Sequence, residues 1–273
     1  KLVLVFIIPF VPADRLILYG LSLLMIQVLV FLLYFIYCRR NFDEVRFKRS
    51  GSCDLLKSML SFSGWNVLGS FANMMKDQGI NMVINIFFGP VVNAARGVAA
   101  QVNSGLQSFV QNITVPVRPQ IVQSYASGNI SRTLSLTYSV SKLSCMLLYF
   151  ISLPVVLEID TILNIWLGNN VPEHASTFVI IIVLTSFVNN LNAAVSNVVH
   201  ATGKMMLYQI TGSVCILMAI PLAYVVLRLG GTAELAIAMT LLSMIVAQIV
   251  ALFVLRTLIE FSIRDYCSFT IFP

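Results

Sequence analysis

Charge is what this chain has least of. Its 273 residues carry 17 Lys and Arg and 11 Asp and Glu, so 10% are charged, against roughly 25% in a soluble domain. A surface so poor in charge cannot be kept in water, which excludes an ordinary soluble globule and leaves lipid as the medium for most of it. Cysteine is equally uninformative as a framework. Cys38, Cys53, Cys145, Cys215 and Cys267 show no CxxC and no paired spacing, so they read as reduced thiols rather than as disulfides or metal ligands. The chain also lacks an initial Met. KLVLVFIIPFVPA has a signal peptide's length, but further oily runs follow it, and it is expected to be the tail of a helix that starts upstream, ending in an outer loop at residues 1–13.

What is present is hydrophobic: 58% of the residues, with a mean hydropathy of +0.90. A helix needs about 20 apolar residues to cross a bilayer. Runs of that size are expected near 14–37, 63–88, 91–115, 136–157, 177–199, 205–227 and 233–255. Gly89-Pro90 breaks the second from the third, and Pro116 and Pro119 are expected to end the third. The segment CRRNFDEVRFKRSGSCDLLK (38–57) is the most basic of the chain, whereas EIDTILNIWLGNNVPEH (158–174) holds three acids and no Lys or Arg. Placing 38–57 in the cytoplasm puts 116–135, 200–204 and the tail 261–273 there too, and the acidic connection outside, which satisfies the positive-inside bias. The net charge of +6 is therefore loop charge and implies no nucleic-acid partner. Trp166 suits an interfacial anchor. The sequons at Asn112 and Asn129 fall on or inside the cytoplasmic half of this scheme and read as chance.

Polar residues inside spans are costly and face protein or water. At 100° per residue, Asn93, Arg96, Asn103, Gln107 and Gln111 share an arc of about 80°. Asn73, Asp77, Asn81 and Asn85 follow i, i+4 steps on the preceding helix, with Lys76 beside Asp77, and Asn189, Asn192 and Ser196 run toward His200 on a later one. Taken singly, each amide reads first as interhelical glue; taken as three facing stripes, they would line a hydrated cavity. Arg96 has no acid within one turn of its own helix, so it either snorkels to an interface or serves as a fixed cation in that cavity. The nearly apolar runs 16–37 and 233–255 are expected at the periphery, facing lipid. No nucleophile elbow, HExxH, Walker A or Rossmann glycine pattern occurs. Neither an enzyme, a metal site nor a cofactor is expected, and a transporter would draw on a gradient or a separate motor.

The block SFSGWNVLGSFANMMKDQGINMVINIFFGPVVNAARGVAAQVNSGLQSFVQN with VRPQIVQSYASGN, and then LNIWLGNNVPEHA, HATGKMMLYQ and PLAYVVLRLG, resembles Wzx-type polysaccharide flippases. These form the O-antigen and teichoic-acid exporter branch of the MATE-like (MOP) superfamily, and the likeness is to its Bacteroides-like members, in their C-terminal half. The AAR…P…SYASGN layout is also similar to the lipid II flippase of that superfamily, whose cationic cavity includes an arginine that matches Arg96. The resemblance covers roughly positions 14–260.

It implies an all-α, polytopic integral membrane bundle, the second six-helix lobe (58–260) of a two-lobe transporter plus the last one or two helices of the first, with 38–57 as the cytoplasmic linker. It implies export of undecaprenyl-diphosphate-linked oligosaccharide across a bacterial inner membrane, with the C-terminus cytoplasmic. The partners implied are that glycan, the bilayer, and a polysaccharide polymerase with other assembly proteins. On this expectation Arg96 and Lys76 bind diphosphate. Asp77, Asn81, Asn85, Asn93, Asn103, Gln107, Asn189 and Asn192 supply cavity polarity. A MATE-type ion-coupled exporter of cationic small molecules is the alternative. It would want anionic cavity residues, and away from the span ends Asp77 is the one acid in these runs.

Overall fold

A computed structural model describes residues 15–42, 52–168, 170–259 and 261–270. The expectations for residues 1–13 and for the middle of the basic linker, 43–51, lie outside the described residues. The described residues form helices and connecting turns, with no strand among them. Among the described residues six helical stretches are long and apolar enough to cross a membrane, and these residues form an all-α bundle of membrane-spanning type. It divides into two compact units, 1–56 and 57–273. In the first, α1 (Arg15–Asn41) is a single uninterrupted apolar helix closed by Arg39 and Arg40 in its last turn, where cations complement the helix dipole.

The second unit begins within α2 (Cys53–Ala126), which is continuous except at Gly89. There φ is 77° and ψ −174°, a combination essentially closed to residues with a Cβ. Pro90 follows as the first residue of the next arm, where its missing N–H costs nothing. Arg96 reaches Asp77 and Asn81, 19 and 15 residues before it, so the arms 53–88 and 90–126 run antiparallel as a helical hairpin. A second tight reversal, Ser127-Gly128-Asn129, joins α2 to α3 (Ile130–Leu157). Gly128 takes φ 77°, and Asn129 Oδ1 caps α3 by accepting the Arg132 N–H at 3.0 Å, the usual work of a capping asparagine. Then come α4 (Ile159–Leu167), α5 (Ala175–Thr202), α6 (Met206–Leu217), α7 (Ala219–Arg228), α8 (Ala233–Leu258) and α9 (Ile263–Thr270).

Two hydrophobic clusters mark the two ends of this bundle. One joins Ile80, Ile84, Ala95, Leu148, Leu163, Phe178, Ala223 and Ala236, and so gathers the Gly89 reversal, the 158–174 connection and the α7–α8 turn. The other joins Ile121, Val198, Met205, Tyr208, Leu255, Phe261 and Tyr266, gathering the Ser127–Asn129, Gly203 and α8–α9 turns. Within the second unit successive spans therefore alternate in direction. At the first end lie Glu158, Asp160, Glu173 and Glu234, with His174 bonded through Nδ1 to Glu234. At the second lie Arg118, Arg132, Lys204, Arg256 and Arg264.

Two expectations need correction. The run 233–255 is not peripheral. α8 is the most buried span, with half of its most apolar window inside the protein, packed by α5, α6 and α7. Ala233, Ala236, Ala247 and Ala251 lie at its contacts, and such small residues let helix backbones approach closely. Pro116 and Pro119 do not end a helix, because α2 runs through them to Ala126. They remove the hydrogen bonds to the carbonyls of Asn112 and Val115. Both of those residues are exposed, and Pro116 stands 27 residues, or about 40 Å, from Gly89, beyond the roughly 30 Å of hydrocarbon, so water can take up the freed carbonyls. The run 205–227 is one spanning stretch, Met206–Arg228, with a local break at Met218 between α6 and α7, where Pro221 in the first turn of α7 cannot donate to Leu217.

Candidate functional site

The polar stripes do not meet in one cavity. They separate into an ion cluster on the α2 hairpin and an uncharged cavity deeper in the bundle. The cluster follows from the Gly89 reversal, which lays Arg96 against the stripe of the preceding arm. Arg96 Nη1 donates to Asn81 Oδ1 and to the Asp77 backbone carbonyl at 3.3 Å. Its Nη2 lies 3.5 Å from Asp77 Oδ1, and the same oxygen is 3.3 Å from Lys76 Nζ. Arg96 therefore has a counter-ion, and it comes from the other arm. Lys76 and Asp77 do pair, although neighbours on a helix do not face one another. The long lysine stem bends to a carboxylate beside it.

Exposure within the cluster is uneven. The Lys76 and Arg96 side chains are 13% and 14% exposed, and that of Asp77 is 55%. Two cations therefore sit in the wall, with one carboxylate standing in front of them. Asp77 precedes Gly89 by twelve residues, about 18 Å along the helix, which is near the middle of a hydrocarbon layer about 30 Å thick.

The remaining amides are dispersed. Asn103 Oδ1 accepts from Ser186 Oγ at 2.6 Å and ties the returning arm of α2 to α5, which is the interhelical-glue reading. Asn93 and Gln107 are half-buried, with Asn93 Oδ1 and Gln107 Nε2 enclosed and without a partner. Asn85 and Asn189 are exposed. Asn192 Oδ1 accepts from the Tyr208 hydroxyl at 2.7 Å and belongs to the cavity.

That cavity, of about 230 Å³, is walled by four elements. Asn66, Ser70 and Asn73 come from the outgoing arm of α2. Asn192, Ser196 and His200 come from α5, and Tyr208, Gln209 and Ser213 from α6, while Ala247 and Ala251 of α8 close the back. Gly69 lets the Gln209 side chain approach the outgoing arm of α2 closely: a Cβ there would run into the Gln209 amide. Ser213 Oγ is buried with no partner, as are both amide atoms of Gln248 on α8, which follows the lining residue Ala247 in sequence. The lining has donors and acceptors throughout and no Asp, Glu, Lys or Arg.

Sequence reasoning missed Asn66, Ser70, Tyr208, Gln209, Ser213 and Gln248. Asn66 and Ser70 extend the Asn73–Asp77 stripe backwards at the same helical spacing. Lys142, half-buried well inside α3, was open to the rule used for Arg96, that an ionisable residue within a span marks a site.

Among the described residues no three His, Cys, Asp or Glu side chains gather to hold a metal, and Cys38, Cys53, Cys145 and Cys215 are free thiols. No family model, curated protein or solved structure matches the chain. The class that fold and site define is a helical protein of membrane-spanning type with an ion cluster on its α2 hairpin.

Proposed function

We propose that the protein is a flippase that carries an undecaprenyl-diphosphate-linked oligosaccharide from the cytoplasmic to the periplasmic leaflet of a bacterial inner membrane. The observation that carries the reading is the Lys76–Asp77–Arg96 cluster, two cations to one carboxylate, with the carboxylate 55% exposed near mid-depth. A charged group there does not face hydrocarbon, so this side of the hairpin borders a hydrated space or a further part of the transporter, such as the opposing lobe of a two-lobe fold. A diphosphate needs compact positive charge to cross about 30 Å of hydrocarbon, and a guanidinium presents its donors in a fork that matches phosphate oxygens. Uncharged amides and hydroxyls, the kind that line the 230 Å³ cavity, replace water at sugar hydroxyls without adding charge. The lipid tail stays in the bilayer while rocking of the two lobes exposes the site to each side in turn.

The end bearing Arg118, Arg132, Lys204, Arg256 and Arg264 is the cytoplasmic one under the positive-inside rule, which puts the C-terminus in the cytoplasm and the acidic end outside. Export draws on a gradient rather than on chemistry performed by the protein. A MATE-type exporter of cations fits less well, because the one carboxylate of the cluster is already held by two cations. The test is deletion of the gene. Loss of surface polysaccharide with complete lipid-linked repeat units accumulating on the cytoplasmic side supports the flippase. Unchanged polysaccharide with new sensitivity to cationic drugs overturns it in favour of the cation exporter.

A further inference from the structure

The flippase reading leaves Asp77 without a task, and the inference that follows rests on that reading. One oxygen of this carboxylate, Oδ1, is shared by Lys76 Nζ at 3.3 Å and Arg96 Nη2 at 3.5 Å. The two cations are mostly buried and the carboxylate mostly exposed, so an anion arriving from the open side meets Asp77 before it meets either cation. It also needs the same two donors.

Arg96 is divided between a fixed and a free side. Nη1 is held by Asn81 Oδ1 and by the Asp77 backbone carbonyl, neither of which moves when the Asp77 side chain turns away. Nη2 is held by the carboxylate alone among the described contacts. The guanidinium can therefore change its partner at Nη2 without losing its place.

We infer that Asp77 is a displaceable counter-ion. It holds Lys76 and Arg96 together in the absence of substrate and yields both to the diphosphate, swinging toward the open face as phosphate oxygens take its position. This makes Asp77 a specificity determinant. A carboxylate ligand exchanges one monoanion for another and gains nothing, whereas a diphosphate brings more charge and more acceptor oxygens to the same pair of donors. Carrying the counter-ion on the protein also spares an empty transporter two uncompensated cations at mid-depth, which would be costly.

The test is equilibrium binding of inorganic pyrophosphate, with acetate as the monoanionic control, to the purified full chain in detergent. Wild type is compared with Asp77→Asn, Asp77→Ala and Arg96→Ala, each first checked for an unfolding midpoint. Two partly exposed ion pairs on one carboxylate set the scale, and pyrophosphate affinity is expected to rise about tenfold in both Asp77 variants. Acetate is expected to bind these variants measurably better than it binds wild type. Arg96→Ala is expected to lose pyrophosphate binding. Equal pyrophosphate affinity in wild type and the Asp77 variants, lost in Arg96→Ala, would overturn the counter-ion role and leave the diphosphate site standing. Weaker binding in the Asp77 variants would overturn it as well, making the carboxylate part of the site. Absence of pyrophosphate binding in every form would overturn the inference together with the diphosphate reading.

Discussion

Arg96 is held mainly by the other arm of its own hairpin, and this can be measured without any transport assay. Arg96→Met keeps the apolar stem and removes the donors. The loss consists of one charge-assisted, part-buried hydrogen bond to Asn81, about 1.5–3 kcal/mol, and an ion pair to an Asp77 side chain that is 55% exposed, worth at most about 1 kcal/mol. The bond to the Asp77 carbonyl, at 3.3 Å, is long and adds little. Arg96→Met should therefore destabilise the protein by about 2–3 kcal/mol. Asn81→Ala alone removes the same bond from its other end. The double variant should then cost clearly less than the sum of the singles, with a coupling energy of about 1.5 kcal/mol or more. The assay is reversible unfolding in mixed micelles across the four proteins of the cycle. Additivity within about 0.5 kcal/mol would refute the reasoning, because it would mean that Arg96 and Asn81 do not hold one another and that the hairpin places the guanidinium elsewhere.

Other positions give independent checks in the same assay. Gly89→Ala meets no atom within 4 Å at its Cβ, so its whole effect is backbone strain at φ 77°, expected at about 1–3 kcal/mol; an unchanged midpoint would mean that the arms are not joined by this reversal. Asn129→Ala should cost about 1 kcal/mol by uncapping α3, with Asn129→Asp within a few tenths of wild type. Gln248→Leu removes a buried amide with two unpartnered atoms and should raise stability by about 1 kcal/mol; a fall would show that the amide has a hydrogen-bond partner after all.

The helical membrane class could be read directly, because charge depletion and apolar run length are properties of composition and spacing. The reversal at Gly89-Pro90 was visible for a similar reason: few residues other than glycine occupy that backbone conformation. What could not be read was anything set by a partner across space. Nothing within one turn of Arg96 points to Asp77, 19 residues away, until the Gly89 reversal brings them together. The position of α8 was misjudged because a helix apolar on all sides suits lipid and a protein interior equally; its alanines at 233, 236, 247 and 251 were the available clue to close packing. The two prolines of α2 failed as helix ends because the carbonyls they free lie at an exposed end, where water serves. The polar cavity was half legible. Asn73, Asn192, Ser196 and His200 stood out, whereas Tyr208, Gln209 and Ser213 sit on α6, whose sequence shows no stripe long enough to notice.

The central claim is that Arg96 serves the passage of a lipid diphosphate. It is tested most directly by complementing the deletion strain with Arg96→Ala protein, at wild-type abundance in the membrane, and measuring lipid-linked repeat units on the cytoplasmic side. Accumulation at the level of the deletion strain, with Arg96→Lys partly relieving it, is the predicted result. Turnover equal to that of the wild-type gene with Arg96→Ala in place would contradict it.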